Sequence, residues 1–268
     1  MKFRKTPAYL LLAVLPFFVA CDKDEDDPAP SGGSSTVTSG PGTVMVTFAN
    51  TVGMVNVDET GATSYTNASN EAFTVTMAKY YVSNFELFND NHSHAVPDSY
   101  FLVDESVPAS TELNLDSVPE GYYKGIRFMI GVDEDKYNEL TAQSPSSPTG
   151  ALDPANGMMW VWSTGYIHYK LEGTYANSSS NMYFYHIGGM TGQYSGQRVV
   201  ELYFAGDSLQ VKGTHEAEIH LTADIQKLFS SNTTFTIASM PNVMTVNQNS
   251  ATVADNYATM FEFDHLHN

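Results

Sequence analysis

The sequence predicts an all-β protein: a single antiparallel β-sandwich domain with long loops and one short helix. Runs rich in Val, Ile, Tyr, Phe and Thr recur between residues 44 and 238, which is strand composition. Clusters of Gly, Pro, Asn, Asp and Ser separate them, as turns require. Only residues 222–230 space their apolar side chains, Ile225, Leu228 and Phe229, as a helix does.

The strand runs, in order, are 44–48, 72–77, 80–88, 122–132, 166–171, 182–187, 198–204, 215–221 and 234–238. The clearest alternation lies in 214–221, where Ala217, Ile219 and Leu221 share one face with His215, and His220 shares the other with Glu216 and Glu218. In 166–172 the same reasoning puts His168 beside Lys170 and Glu172 on a wet face, and in 182–187 both faces are apolar, so His186 is expected to be shielded. Residues 89–100, 101–121 and 133–159 remain as long connections, the usual place for functional residues.

The N-terminus has a different logic. Lys2, Arg4 and Lys5 precede an apolar stretch from Tyr9 to Ala20 that is too short for a membrane span of about 20 residues. It has the build of a secretory signal. Ala20-Cys21 is a lipoprotein cleavage and acylation junction, so residues 1–20 read as a lipoprotein signal peptide and Cys21 as the lipid anchor to the membrane. Residues 21–42 read as a tether, acidic from Asp22 to Asp27 and rich in Ser, Gly, Thr and Pro afterwards, a composition that does not fold alone. The acidic run resembles the signal that sends some lipoproteins to the outer face of the outer membrane, and a solvated spacer is the plainer alternative. Residues 43–268 form the expected domain. Cys21 is the only cysteine, so an exported chain holds no internal disulfide.

Charge and motifs exclude several classes. The formal net charge is −18, and it becomes −21 once the three basic residues of 1–20 are removed. No basic footprint exists for nucleic acid. Gly-x-Ser-x-Gly and phosphate-cradling glycine loops are absent, and lipidation consumes the only thiol. The sequence therefore gives no motif for an enzyme.

Eight histidines remain as chemistry-bearing residues. Two pairs, His92-x-His94 and His265-x-His267, would each project two imidazoles to one side of an extended chain. Imidazole suits copper or zinc, although a single histidine is more commonly a hydrogen-bonded core or surface residue.

A longer pattern adds to this. Met158-Met159-Trp160-Val161-Trp162-Ser163-Thr164-Gly165-Tyr166, with Leu152 and Pro154 upstream, resembles the signature of the MbnP-like copper-binding family. So do Tyr80 to Asn84, Gly121 to Asp133, and Tyr185-His186-Ile187-Gly188-Gly189. The similarity spans roughly residues 44–230. It implies a periplasmic or surface β-sandwich that binds copper, in some members through histidines and a tryptophan oxidised to kynurenine by a partner diheme enzyme. By position, His186 matches a family histidine, and Trp160 and Trp162 match the tryptophan motif. The chain departs from one branch in lacking its disulfide cysteines and in reading Asn138-Glu139 where that branch has Asn-His. Met158, Met159, Trp160 and Trp162 can equally form an aromatic and thioether plug beneath a long loop.

The resulting expectation is a lipid-anchored, non-catalytic copper protein of the cell envelope, at the outer membrane and displayed on the surface, for copper acquisition or handling. His186, His220, His265 and His267 are the expected ligands, with Trp160, Trp162 and Met158 lining or modified at the site. The alternative is a metal-free surface module that binds glycan or protein through loop aromatics.

Overall fold

The structure is a computed structural model that describes residues 40–142, 148–160 and 165–268. The expected signal peptide, Cys21, most of the expected tether and Trp162 lie outside the described residues.

Two sheets face one another. In the larger, Arg198–Tyr203, Gly125–Ile130, Met77–Phe88, Ile167–Tyr175 and Ser178–Gly188 follow in that order, each antiparallel to its neighbour. In the smaller, Phe261–His267, Ala217–Asp224 and Gly42–Val52 follow in order, with Glu112–Val118 and Val55–Asn56 also paired to Gly42–Val52. The all-β sandwich class holds. Antiparallel pairing is not universal: Gly42–Val52 runs parallel to Ala217–Asp224 from Val44↔Ala217 to Thr51↔Asp224, and Asn242–Val243 runs parallel to Ser178–Gly188.

Alternation fixes the core. Val44, Val46 and Phe48 from one strand and Ala217, Ile219, Leu221 and Ala223 from its neighbour are all buried on one face. Phe48 and Phe261 of the smaller sheet meet Phe128 of the larger at centroid distances of 5.8 and 5.2 Å, edge to face. That arrangement suits the ring quadrupoles and joins the two sheets. Tyr80 enters the same group and donates its hydroxyl to Asn50 Oδ1 at 2.7 Å. Gly173 permits one close crossing, because a Cβ there would lie 1.9 Å from the Thr74 carbonyl oxygen.

The expected helix is a 3₁₀ segment, Ile225–Phe229, begun by the Asp224 carboxylate accepting from the Gln226 N–H; residues 222–224 belong to the preceding strand. Instead of one short helix, the described residues hold two α-helices. Glu134–Ala142 lies in the long connection, and Gln248–Tyr257 starts at an Asn247/Ser250 capping box. Residues 234–238 are not a strand: Thr236 caps a 3₁₀ turn, Ile237–Ser239. The 122–132 run divides into Gly121–Tyr123 and Gly125–Ile130, which join different partners.

Two β-bulges set the direction of histidines. Ile167 pairs with Gly188 and Tyr169 with Ile187, leaving His168 as an extra residue. Its ring is fully buried, which corrects the wet-face expectation: the backbone at Gly131 and Gly196 closes over it, so tightly that a Cβ there would lie 2.9 and 3.2 Å from the ring. The second bulge is at Asp264, since His220 pairs with His265 but Leu221 pairs with Phe263. Strict alternation would put Phe261, Phe263, His265 and His267 on one face. The extra residue keeps Phe261 and Phe263 against the core and turns His265 and His267 outward with Leu266 packed inward.

Candidate metal centre

Ala217–Asp224 lies between Gly42–Val52 and Phe261–His267 in the smaller sheet. On its outer face His220 is half-buried between Glu218 and Thr222, as alternation predicts. The ladder places His265 directly opposite His220, and His267 opposite Glu218. Cross-strand neighbours are about 5 Å apart at Cβ, within reach of one imidazole to the next. The His220 and His265 rings stack at 4.2 Å and 7°, and His267 stands nearly upright to both at 5.1 and 4.9 Å. One nitrogen from each of the three lies within 4.8 Å of the others.

Carboxylates orient two of these rings. His265 Nδ1 is 3.0 Å from Asp264 Oδ2, which assigns the N–H to Nδ1 and leaves the Nε2 lone pair free to bind metal. His265 Nε2 lies 3.1 Å from His267 Nε2. His220 Nε2 is 3.1 Å from Glu218 Oε2, which assigns the N–H to Nε2 and leaves the lone pair on Nδ1. His265 and His267 are exposed, so the group opens to solvent.

Of the four expected ligands, the structure brings together three. His186 is not a member of this cluster. It is buried on Ser178–Gly188 in the larger sheet, with Nε2 2.7 Å from Glu172 Oε1, Nδ1 buried without a hydrogen-bond partner among the described residues, and the Trp160 ring 6.3 Å away. The shielding read from its sequence is correct. The Glu172 bond lowers the pKa of that carboxyl, burial opposing. Met158 and Trp160 belong to a satellite core with Tyr81, Leu152, Tyr166 and Ile167. Tyr81 and Tyr166 donate their hydroxyls to the carbonyls of Ala151 and Leu152, which fastens the long connection over this cluster. The plug reading therefore describes Met158 and Trp160, and a buried Trp160 offers no stacking face to a glycan.

The remaining histidines are dispersed. His168 accepts from the Val132 N–H at Nδ1 and donates from Nε2 to Gly189 O; desolvation lowers its pKa to about 4, against that hydrogen bond. His92 is exposed and 3.3 Å from Asn89 Nδ2, and His94 occupies the short strand Ser93–Ala95 without joining a metal-ligating group among the described residues. His215 is exposed before the strand begins at Ala217, which corrects its inward assignment. Of the carboxylates beside the ligands, Glu218 shares the face of His220 by alternation, whereas Asp264 is not predicted from the sequence. Its adjacency to His265 was the available signal.

An all-β sandwich with an outward-facing histidine cluster defines a class of candidate metal-binding proteins. Comparison narrows it: the family model MbnP matches residues 41–247, and the chain belongs to the MbnP family. Among solved structures it is similar to MbnP from Methylosinus trichosporium, at 15% identity and a TM-score of 0.44, over 70% of this chain and 76% of that one. No curated protein matches. The family match ends at residue 247, before the strand that carries His265 and His267.

Proposed function

We infer that this chain is a non-catalytic copper-binding protein of the cell envelope, held to the outer membrane by a lipid on Cys21 and displayed outward, where it acquires or handles copper. The observation that supports copper binding is the convergence of His220, His265 and His267, with a nitrogen of each within 4.8 Å of the others. Imidazole nitrogens suit copper, zinc, iron and nickel, and membership of the MbnP family favours copper among them. Two imidazoles on one ion at about 2.0 Å lie roughly 3 Å apart, and the 3.1 Å between His265 Nε2 and His267 Nε2 fits that spacing. The acidic balance of the chain favours a cationic ligand over an anionic one. The anchor rests on the basic and apolar leader ending at Ala20-Cys21, and display rests on the acidic run at 22–27. A diheme enzyme that oxidises tryptophan stays a partner by resemblance; Trp160 is buried beside His186, apart from the three-histidine group.

The test is titration of the purified protein with copper against a competing chelator. One equivalent should bind, should be lost when His220, His265 and His267 are replaced together by Asn, and should survive His186→Asn or His92→Asn. Absent stoichiometric binding, or binding that survives the triple replacement, refutes the site and favours a metal-free glycan- or protein-binding module. For the anchor, Cys21→Ser should abolish labelling by radiolabelled palmitate in cells, and persistent labelling refutes lipidation there.

A further inference from the structure

We propose that the three-histidine site takes copper in its oxidised form, Cu(II), in preference to Cu(I). This deepens the copper reading and rests on it.

Three observations carry the preference. The donors in the cluster are imidazole nitrogens, without a thiolate; soft sulfur ligands select Cu(I), whereas imidazole suits the divalent ion. Two carboxylates lie against the ligands, Glu218 at 3.1 Å from His220 Nε2 and Asp264 at 3.0 Å from His265 Nδ1. Their attraction for a bound ion scales with its charge, so each favours the doubly charged state over the singly charged one. A ring whose N–H is held by a carboxylate is also a more basic ligand, which again favours the harder ion. Finally, two ligands sit exposed on the edge strand Phe261–His267, so water or an outside donor can complete the coordination that Cu(II) needs beyond three nitrogens.

The site also belongs to this chain in a particular sense. His265 and His267 lie beyond residue 247, where the family match stops, and their outward direction depends on the bulge at Asp264. The choice between the two oxidation states therefore rests on these residues, whereas copper itself is favoured by the family.

The experiment uses the full chain in detergent, made without lipidation and with Cys21→Ser so that no free thiol captures Cu(I). Cu(II) is titrated against nitrilotriacetate, and Cu(I) is titrated under a reductant against bicinchoninate. The Cu(II) dissociation constant should be at least about 100-fold lower than that of Cu(I). Electron paramagnetic resonance of the Cu(II) form should show hyperfine splitting from several imidazole nitrogens, simplified in His220→Asn, His265→Asn or His267→Asn. Circular dichroism establishes that each variant is folded. Equal or tighter Cu(I) binding, lost in the triple Asn variant, overturns the Cu(II) preference while sparing the copper site. Failure of both ions to bind stoichiometrically overturns both. Glu218→Gln with Asp264→Asn supplies a further check: it should weaken Cu(II) more than Cu(I), and equal weakening overturns the charge argument.

Discussion

Burial of His168 ties stability to pH between about 6.5 and about 4. Its ring is fully buried, accepts from the Val132 N–H and donates to the Gly189 carbonyl, so the neutral form is required and desolvation holds the pKa near 4 instead of 6.5. Above about pH 6.5 both folded and unfolded chains carry this imidazole neutral, and its contribution is complete. As pH falls below that value the unfolded chain takes up a proton that the folded chain refuses, so stability declines until the folded pKa is passed. At about 1.4 kcal/mol per pKa unit, the total loss is on the order of 3 kcal/mol, of which about 2 kcal/mol has gone by pH 5. The perturbation is His168→Gln, which cannot titrate. The assay is urea unfolding of both proteins, with metal chelated, at several values between about pH 7.5 and 5. Other titrating groups cancel in the difference, so the stability advantage of the unaltered protein over the variant should shrink by about 2 kcal/mol across that range. A difference that stays constant with pH would refute the reasoning.

The buried side chain of Asn256 makes four hydrogen bonds, donating to the carbonyls of Leu228 and Thr233 and accepting from the N–H groups of Asn232 and Thr233. Asn256→Ala should cost about 3 kcal/mol in urea unfolding, because backbone groups lose partners they cannot replace; a loss under about 1 kcal/mol contradicts the assignment. Gly173→Ala drives a methyl group into the Thr74 carbonyl and should leave little folded protein at ambient temperature by circular dichroism; a variant of unchanged melting temperature would show that this crossing is loose.

Where local alternation decides the outcome, the sequence is legible. Val44, Val46 and Phe48 point inward, and His220 points outward with Glu218, because those strands are regular. His168 misleads because a bulge and two glycines, neither visible in the alternation, place it under backbone. Phe261–His267 is hard to recognise as a strand because its apolar residues are few and its polar ones frequent, and Gln248–Tyr257 is likewise polar at most positions facing away from the core. The His265-x-His267 pair suggested a site by spacing alone. That His220 stands opposite it is a matter of strand order, a non-local property that sums over the whole sheet. His186 shares only its residue type with the three histidines that converge and is buried in the other sheet, so composition could not separate it from them.

The bulge at Asp264 makes the histidine face a question of parity. Counting inward from Phe261, one residue more or less decides whether the final imidazoles reach solvent or press into the core. The loss or gain of a single codon at that point would silence or create the face while leaving every histidine in the gene. Chains of this kind can therefore differ in metal binding with nearly identical composition, and the length of the segment between the last core phenylalanine and the terminal histidines is the variable to compare among them.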